Sequence, residues 1–309
     1  MVYTATATAL VVSLAGCSSA GTLNSPQVRT SAAKAPAMGA PQPREALGAS
    51  LARALRPVLP DDDARLSVAV LRLDDADREI ASYGDEATFD TASIVKVDIL
   101  AALLLQAQEE ERELTDDEHS HAKAMIQESD NESANVLWRA IGRAPGLNAA
   151  NEQLGLSSTK GGAGVHWGLT QTTAKDQVRL LRAVFGGEGK EPSRGSAGLN
   201  QESRAYIRQL ISEISEGQDW GVSAAADPGW ALKNGWLKRS TTGLWDINTI
   251  GQVKVHGRRC LISVLSGDNA SMRSGISLVE RVAKVAAGAV SAHARRSPGR
   301  SERSADGAL

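Results

Sequence analysis

Ser93-Ile94-Val95-Lys96 sets a hydroxyl and an amine three residues apart. On a helix that spacing puts both on one face, about one turn from each other. A hydroxyl with its own proton acceptor is the beginning of a nucleophilic site. The spacing alone is uninformative, because Ser31–Lys34, Ser120–Lys123 and Ser157–Lys160 repeat it. Two further motifs carry groups of matching chemistry. Ser129-Asp130-Asn131 offers a second hydroxyl, a carboxylate and an amide, and Lys233-Asn234-Gly235 offers an ammonium beside an amide. Whether they meet depends on the elements that carry them.

Behind Ser93 the run 95–105 is aliphatic apart from Lys96 and Asp98, which predicts a core helix that buries its amine. Thr115 with Glu118 forms a capping box that opens a helix to about Glu128, and a second helical pattern runs from Glu132 to Ile141. Ser129-Asp130-Asn131 falls between them, in a loop. Residues 230–237 are strand-like, so Lys233 projects from a strand. The competing Ser-x-x-Lys pairs have no such support. Ser31–Lys34 lies in a Ser/Ala/Pro/Gly-rich stretch, and the other two lie in polar turns.

The remaining pattern frames these elements. Leu47, Leu51, Leu55 and Val58 predict an amphipathic helix ended by Pro60, and Leu66–Leu73 with Glu79–Tyr83 predict a β-hairpin. Helices are expected at Leu147–Leu156, after the Thr172-Thr173 cap, and at Arg204–Ile214, with a Gly-rich loop at 161–168 and a polar loop at 186–198. Strands at Leu244–Val255 and Arg259–Leu265 meet at His256-Gly257, and Ile276, Val279, Val282 and Val285 make a closing helix. The expected fold class is α/β in the α+β sense. An antiparallel sheet of about five strands is flanked by N- and C-terminal helices, with an inserted all-α region at about 97–216.

Composition narrows the function. With 309 residues, 42% hydrophobic and 23% charged, the chain can bury a large core. A net charge of −2 gives no basic field for nucleic acid. Residues 1–17 read as a lipoprotein signal peptide: 5–16 is small and apolar, too short to span a membrane, and leads into Leu14-Ala15-Gly16-Cys17. Small residues before a Cys resemble the bacterial lipobox, which makes Cys17 the lipidation site; an ordinary secretory signal is the alternative. The expected domains are therefore a signal at 1–17, a disordered tether at 18–44, a globular domain at 45–290 and a disordered tail at 291–309. Cys260 is the second of two cysteines and sits in an apolar run, so it reads as a core residue. Asp61–Asp63 read as a solvated turn. His119 and His121 are two apart and do not share a helix face. No metal or cofactor is expected.

Ser-x-x-Lys, Ser-Asp-Asn and Lys-Thr-Gly, in that order, mark class A β-lactamases and penicillin-binding proteins. The chain resembles that family from about Glu45 to Val290, through Ser93–Lys96, Ser129–Asn131 and Lys233–Gly235 in the same order and structural context. The resemblance implies a β-lactamase/transpeptidase-like fold in which Ser93 attacks the carbonyl of an amide or lactam. Lys96 would accept its proton if burial and nearby positive charge depress the amine's pKa. Lys233 would supply that charge and attract the substrate carboxylate. Ser129 would relay a proton to the leaving nitrogen, and Asn131 would bind the substrate's amide side chain. Asn234 and Gly235 would line the anchor, and the backbone N–H groups of Ser93 and Trp236 would form the oxyanion hole. Asp130 would hold its loop by accepting backbone hydrogen bonds.

Three departures limit the resemblance. Class A enzymes carry a water-activating glutamate in an omega loop, whereas Leu156–Gln171 contains no Asp or Glu, with Glu152 outside it and His166 read as a surface residue. Asn234 replaces a small hydroxyl residue. The span from Ser93 to Ser129 is shorter than class A enzymes show, and Trp236, with Trp167 and Trp245, is the candidate aromatic lining, core packing being the alternative for the latter two. The reading adopted is a monomeric serine hydrolase tethered to the outer face of a bacterial membrane. A β-lactam or peptidoglycan-like amide acylates it at Ser93, and deacylation is weak. A D,D-peptidase or penicillin-binding protein, and a non-catalytic ligand-binding lipoprotein on the same fold, remain alternatives.

Overall fold

The computed structural model describes residues 46–60, 63–74, 79–84, 87–186 and 198–295. The expected signal with Cys17, the tether with Ser31–Lys34, most of the 186–198 loop and the tail beyond 295 lie outside the described residues, as do parts of the two Asp-rich turns.

A five-stranded antiparallel sheet in the order β2-β1-β7-β6-β5 forms the frame. Its strands are β1 (Arg65–Arg72), β2 (Ile80–Tyr83), β5 (Trp230–Lys238), β6 (Trp245–Val255) and β7 (Arg258–Asn269). Alternate residues of a strand face opposite sides. In β1, Val68 and Val70 pack with α1 (Leu47–Leu55) and α8 (Met272–Arg295), while Ala69 and Leu71 face the helical region. Both faces are covered, which is why the strands read as near-continuous apolar runs. Cys260 is fully buried in the central strand β7, on the α1–α8 side.

The helical region contains α2 (Val95–Glu109), α3 (Asp116–Lys123), α4 (Asn131–Ala140), α5 (Arg143–Leu154), α6 (Ala174–Phe185) and α7 (Gln201–Ser212). α2 is apolar almost all round and buries twelve of its fifteen residues, as expected of a central helix. The Thr115–Glu118 capping box forms in both directions.

Several boundaries differ from the sequence expectation, among them α5, which runs Arg143–Leu154 where Leu147–Leu156 was expected. Past Lys123 the helix opens into a π turn over Ala124–Glu128. α4 begins at Asn131, because the Asp130 carboxylate accepts the Ser133 N–H at 2.6 Å and caps the helix there. α7 starts at Gln201 because Asn200 caps it through the Ser203 N–H. β7 continues past Leu265 to Asn269, since the buried polar side chains of Ser266 and Asn269 bond each other. A second, two-stranded sheet pairs β3 (Phe89–Asp90) with β4 (Gln171–Thr172). Strands of two residues carry no readable period.

Candidate active site

Ser93 lies in a tight 3-10 turn, Ala92–Ile94, that feeds α2 from Val95. The turn is fixed from several sides. Ala92 holds a left-handed φ of 47°, a conformation non-glycine residues keep only when their surroundings impose it. The Thr91 N–H donates to Thr170 O at 2.9 Å. Asn248, fully buried on β6, donates to Asp90 O at 2.8 Å and Thr91 O at 3.1 Å and accepts the Ser266 N–H at 3.2 Å. Asp90 also accepts from Gln171 and pairs with Arg239. β5 is the edge strand and lies directly against the turn: a Cβ on Gly235 would meet Ser93 N at 2.7 Å, Ile94 N at 2.8 Å and Thr91 O at 2.8 Å. Glycine at 235 is therefore a packing requirement. Ser93 is left half-buried, accessible from outside.

Lys96 and Lys233 converge on one hydroxyl. Lys96 Nζ donates to Ser129 O at 2.6 Å, to Asn131 Oδ1 at 2.8 Å and to Ser129 Oγ at 3.1 Å. Lys233 Nζ donates to the same Ser129 Oγ at 3.1 Å and to Asn234 O at 3.2 Å. Ser129 reaches this position because its backbone is left-handed, with φ 57°, between the π turn and the Asp130 cap. Both amines are essentially excluded from solvent. Burial pulls the Lys96 amine down to about 7, partly opposed by the Asp130 carboxylate. Burial, and then the charge of Lys96, lowers Lys233 to about 7 as well. Asp130 is held low by the Ser133 backbone bond and by Lys96.

This arrangement has a defined capacity for proton movement. A neutral Lys96 amine donates two N–H bonds, which Ser129 O and Asn131 Oδ1 accept, and keeps a lone pair. Ser129 Oγ can then accept from a protonated Lys233 while its own hydrogen is free to move towards a base or leaving group.

The structure distributes the expected residues unevenly. Hydrogen bonds bring Lys96, Ser129, Asn131 and Lys233 together, and Gly235 lies against the Ser93 backbone at the start of the helix that carries Lys96. Asn234 points to the opposite face of β5, where its amide donates to Gln218 O at 2.8 Å and Trp220 O at 2.9 Å, so both amide hydrogens are committed to backbone carbonyls. The rings of Trp236 and Trp245 join the layer beneath α8; Trp236 stacks near Trp220 at 6.1 Å and Trp245 lies 5.9 Å from Lys238 Nζ. Trp167 alone of the three reaches the amines, its ring 4.9 Å from Lys96 Nζ and its Nε1 donating to Asn135 Oδ1 at 2.9 Å. His166 and Glu152 are exposed. So are both members of the Ser120–Lys123 and Ser157–Lys160 pairs.

Two contributors escaped the sequence reading. Asn248 lies in a strand where Asp246, Thr249, Gln252 and Lys254 are polar as well, so nothing in the sequence pattern sets it apart. Asp98 faces Gln177 of α6 at 3.3 Å, and burial raises its carboxyl to about 7, with the charge of Asp176 adding to the effect.

The sequence and fold were compared with known proteins. A model of the beta-lactamase enzyme family matches residues 50–118 and 119–290, and the chain belongs to that family. A protein of Mycobacterium tuberculosis (strain ATCC 25618 / H37Rv) named "Putative lipoprotein LppW" is 29% identical over 181 residues, covering 56% of this chain and 54% of the relative. The match thus spans about half the length of that relative. Among solved structures, a class A beta-lactamase from Bacteroides cellulosilyticus DSM 14838 aligns with a TM-score of 0.66 at 16% identity, over 80% of this chain and 99% of the other. The TLA-3 extended-spectrum beta-lactamase aligns at 0.65 and 17%, over 79% and 98%. PBP-A aligns at 0.65 and 18%, over 79% and 96%. At these identities the likeness establishes the fold.

Proposed function

We propose that the protein is a serine acyl-transfer hydrolase of the class A type, acylated at Ser93 by a β-lactam or a cell-wall-like amide and slow to release the acyl group. The observation that carries this reading is the single Ser129 hydroxyl held between two buried amines, 3.1 Å from each, beside the turn that presents Ser93. In the acylation step, the Ser93 hydroxyl gives its proton to neutral Lys96 and Oγ bonds to the carbonyl carbon. The carbon–nitrogen bond then breaks, and the leaving nitrogen takes a proton from Ser129, which protonated Lys96 replenishes with the proton it took from Ser93. The N–H groups of Ser93 and Trp236 stabilise the developing oxyanion, a role in which loss of one donor typically lowers the rate by about 10²–10³. Lys233 attracts the substrate carboxylate and Asn131 contacts the amide side chain.

Leu156–Gln171 contains no carboxylate, which favours a penicillin-binding or D,D-peptidase character over rapid lactam hydrolysis. A variant of PBP-A was solved as an acyl-enzyme complex with penicillin G; the corresponding adduct is proposed for Ser93. The name of the mycobacterial relatives and the Leu14–Cys17 pattern support a lipid anchor at Cys17, with the domain held outside a bacterial membrane on the 18–44 tether.

Incubating the protein with a penicillin that carries its fluorophore on the amide side chain and keeps its carboxylate free, and reading intact mass, tests the assignment. A single covalent adduct is expected on the wild type and none on Ser93→Ala. Equal labelling of the two removes Ser93 as the nucleophile. Absence of an adduct across a mixed β-lactam panel favours the non-catalytic binding lipoprotein.

A further inference from the structure

Building on the acylation reading, we propose that Trp167 seals the loop side of Ser93 against water, so that hydrolysis of the acyl ester is blocked by a side chain as well as lacking a base. The turn Trp167–Leu169 lies on the turn that carries Ser93: Thr91 Oγ1 contacts Gly168 O at 3.5 Å, and the Thr91 N–H donates to Thr170 O at 2.9 Å. Lys160 and Gln171 exchange backbone bonds of 2.8 and 2.9 Å and close the base of the loop. The indole ring covers Lys96 at 4.9 Å, and its one N–H is directed to Asn135. A buried water needs two to four polar partners. On this side the two hydrogens of neutral Lys96 are engaged by Ser129 O and Asn131 Oδ1, its lone pair is one polar partner where a water needs at least two, and the ring face offers no hydrogen-bond donor. Trp167 is therefore a positioning residue that decides the lifetime of the adduct, leaving its formation to Lys96 and Ser129.

Two measurements test this on the full chain. In the first, adduct formation and release are timed with penicillin G in the wild type, Trp167→Phe and Trp167→Glu. In Trp167→Glu, water adds to the ester carbonyl and gives its proton to the new carboxylate. The carbon–Oγ bond breaks and Oγ regains a proton, restoring Ser93. Release about a hundredfold faster than the wild type, with the formation rate little changed and Trp167→Phe as long-lived as wild type, is expected from the size of general-base effects. Equal lifetimes in the wild type and Trp167→Glu, or a matching fall in formation, overturn the proposal. The second measurement is a crystal structure of Trp167→Ala, which reports on the seal without any substrate. An ordered water on Lys96 in the variant and none in the wild type supports it; a water there in both, or in neither, overturns it. No adduct on any variant would sink the acylation reading, and the crystallographic comparison would still decide the role of Trp167.

Discussion

Lys96 and Lys233 set opposite demands on pH. Lys96 must be neutral to take the Ser93 proton, so acylation rises as pH climbs through about 7. Lys233 must be charged to attract a carboxylate, so acylation falls as it loses its proton; its pKa is also lowered to about 7. Because the two amines meet at one hydroxyl, the two proton losses belong to the pair. We expect a narrow bell-shaped pH profile for adduct formation with a carboxylate-bearing penicillin, centred near 7. Stopped-flow acylation from pH 5 to 9 reads it, and a rate that climbs without falling would contradict the role of Lys233. The residues of this pair were legible in the sequence, because a buried lysine inside an aliphatic helix needs a reason. Trp167 was less so: an aromatic in a Gly-rich loop has no periodicity to say which way it points.

At the scale of elements, the edge strand β5 and the turn at Ser93 share one wall, and Gly235 is where they touch. A methyl group there would collide with backbone atoms, which cannot swing aside as a side-chain tip can. Gly235→Ala is expected to leave the fold in place, displace the Ser93 N–H from the oxyanion position and slow acylation about 10²-fold, the scale of one lost oxyanion donor. Second-order acylation constants check this; a change of less than about threefold would separate Gly235 from the oxyanion geometry. Most elements were readable from period and caps, including the Thr115–Glu118 box; the Asp130 cap was not, since 129–131 read as a loop. Asn234 shows what a motif conceals. Lys233 and Gly235 share one face of a strand, so a residue between them faces the other way by the pleat alone. The motif groups all three, whereas the alternation of the strand separates them. β3 and β4 were unreadable because two-residue strands are defined by their partner.

At the scale of the molecule, one sheet carries two layers: helices α1 and α8 on one face, and the helical region bearing Ser129 on the other. Ser93 stands where the sheet edge meets the second layer, between strand β5 and the loop that carries Ser129. That architecture gives Cys260 a further use. The thiol is fully buried in the central strand, and labelling it requires the sheet to open. With Cys17→Ser it becomes the single cysteine of the chain, and its reaction with a thiol reagent becomes a clock for global opening. An acyl group on Ser93, contacted by Ser129 and Asn131 and lying beside β5, would bridge the helical region to the edge of the sheet. The adduct stays attached when the sheet opens, but its contacts with Ser129 and Asn131 form in the native state alone, so the acylated protein is expected to label more slowly than the free one. Labelling that is indifferent to penicillin would mean that the adduct leaves the opening of the sheet untouched. A cysteine remote from the chemistry would then report, without any chromophoric substrate, how long Ser93 stays occupied.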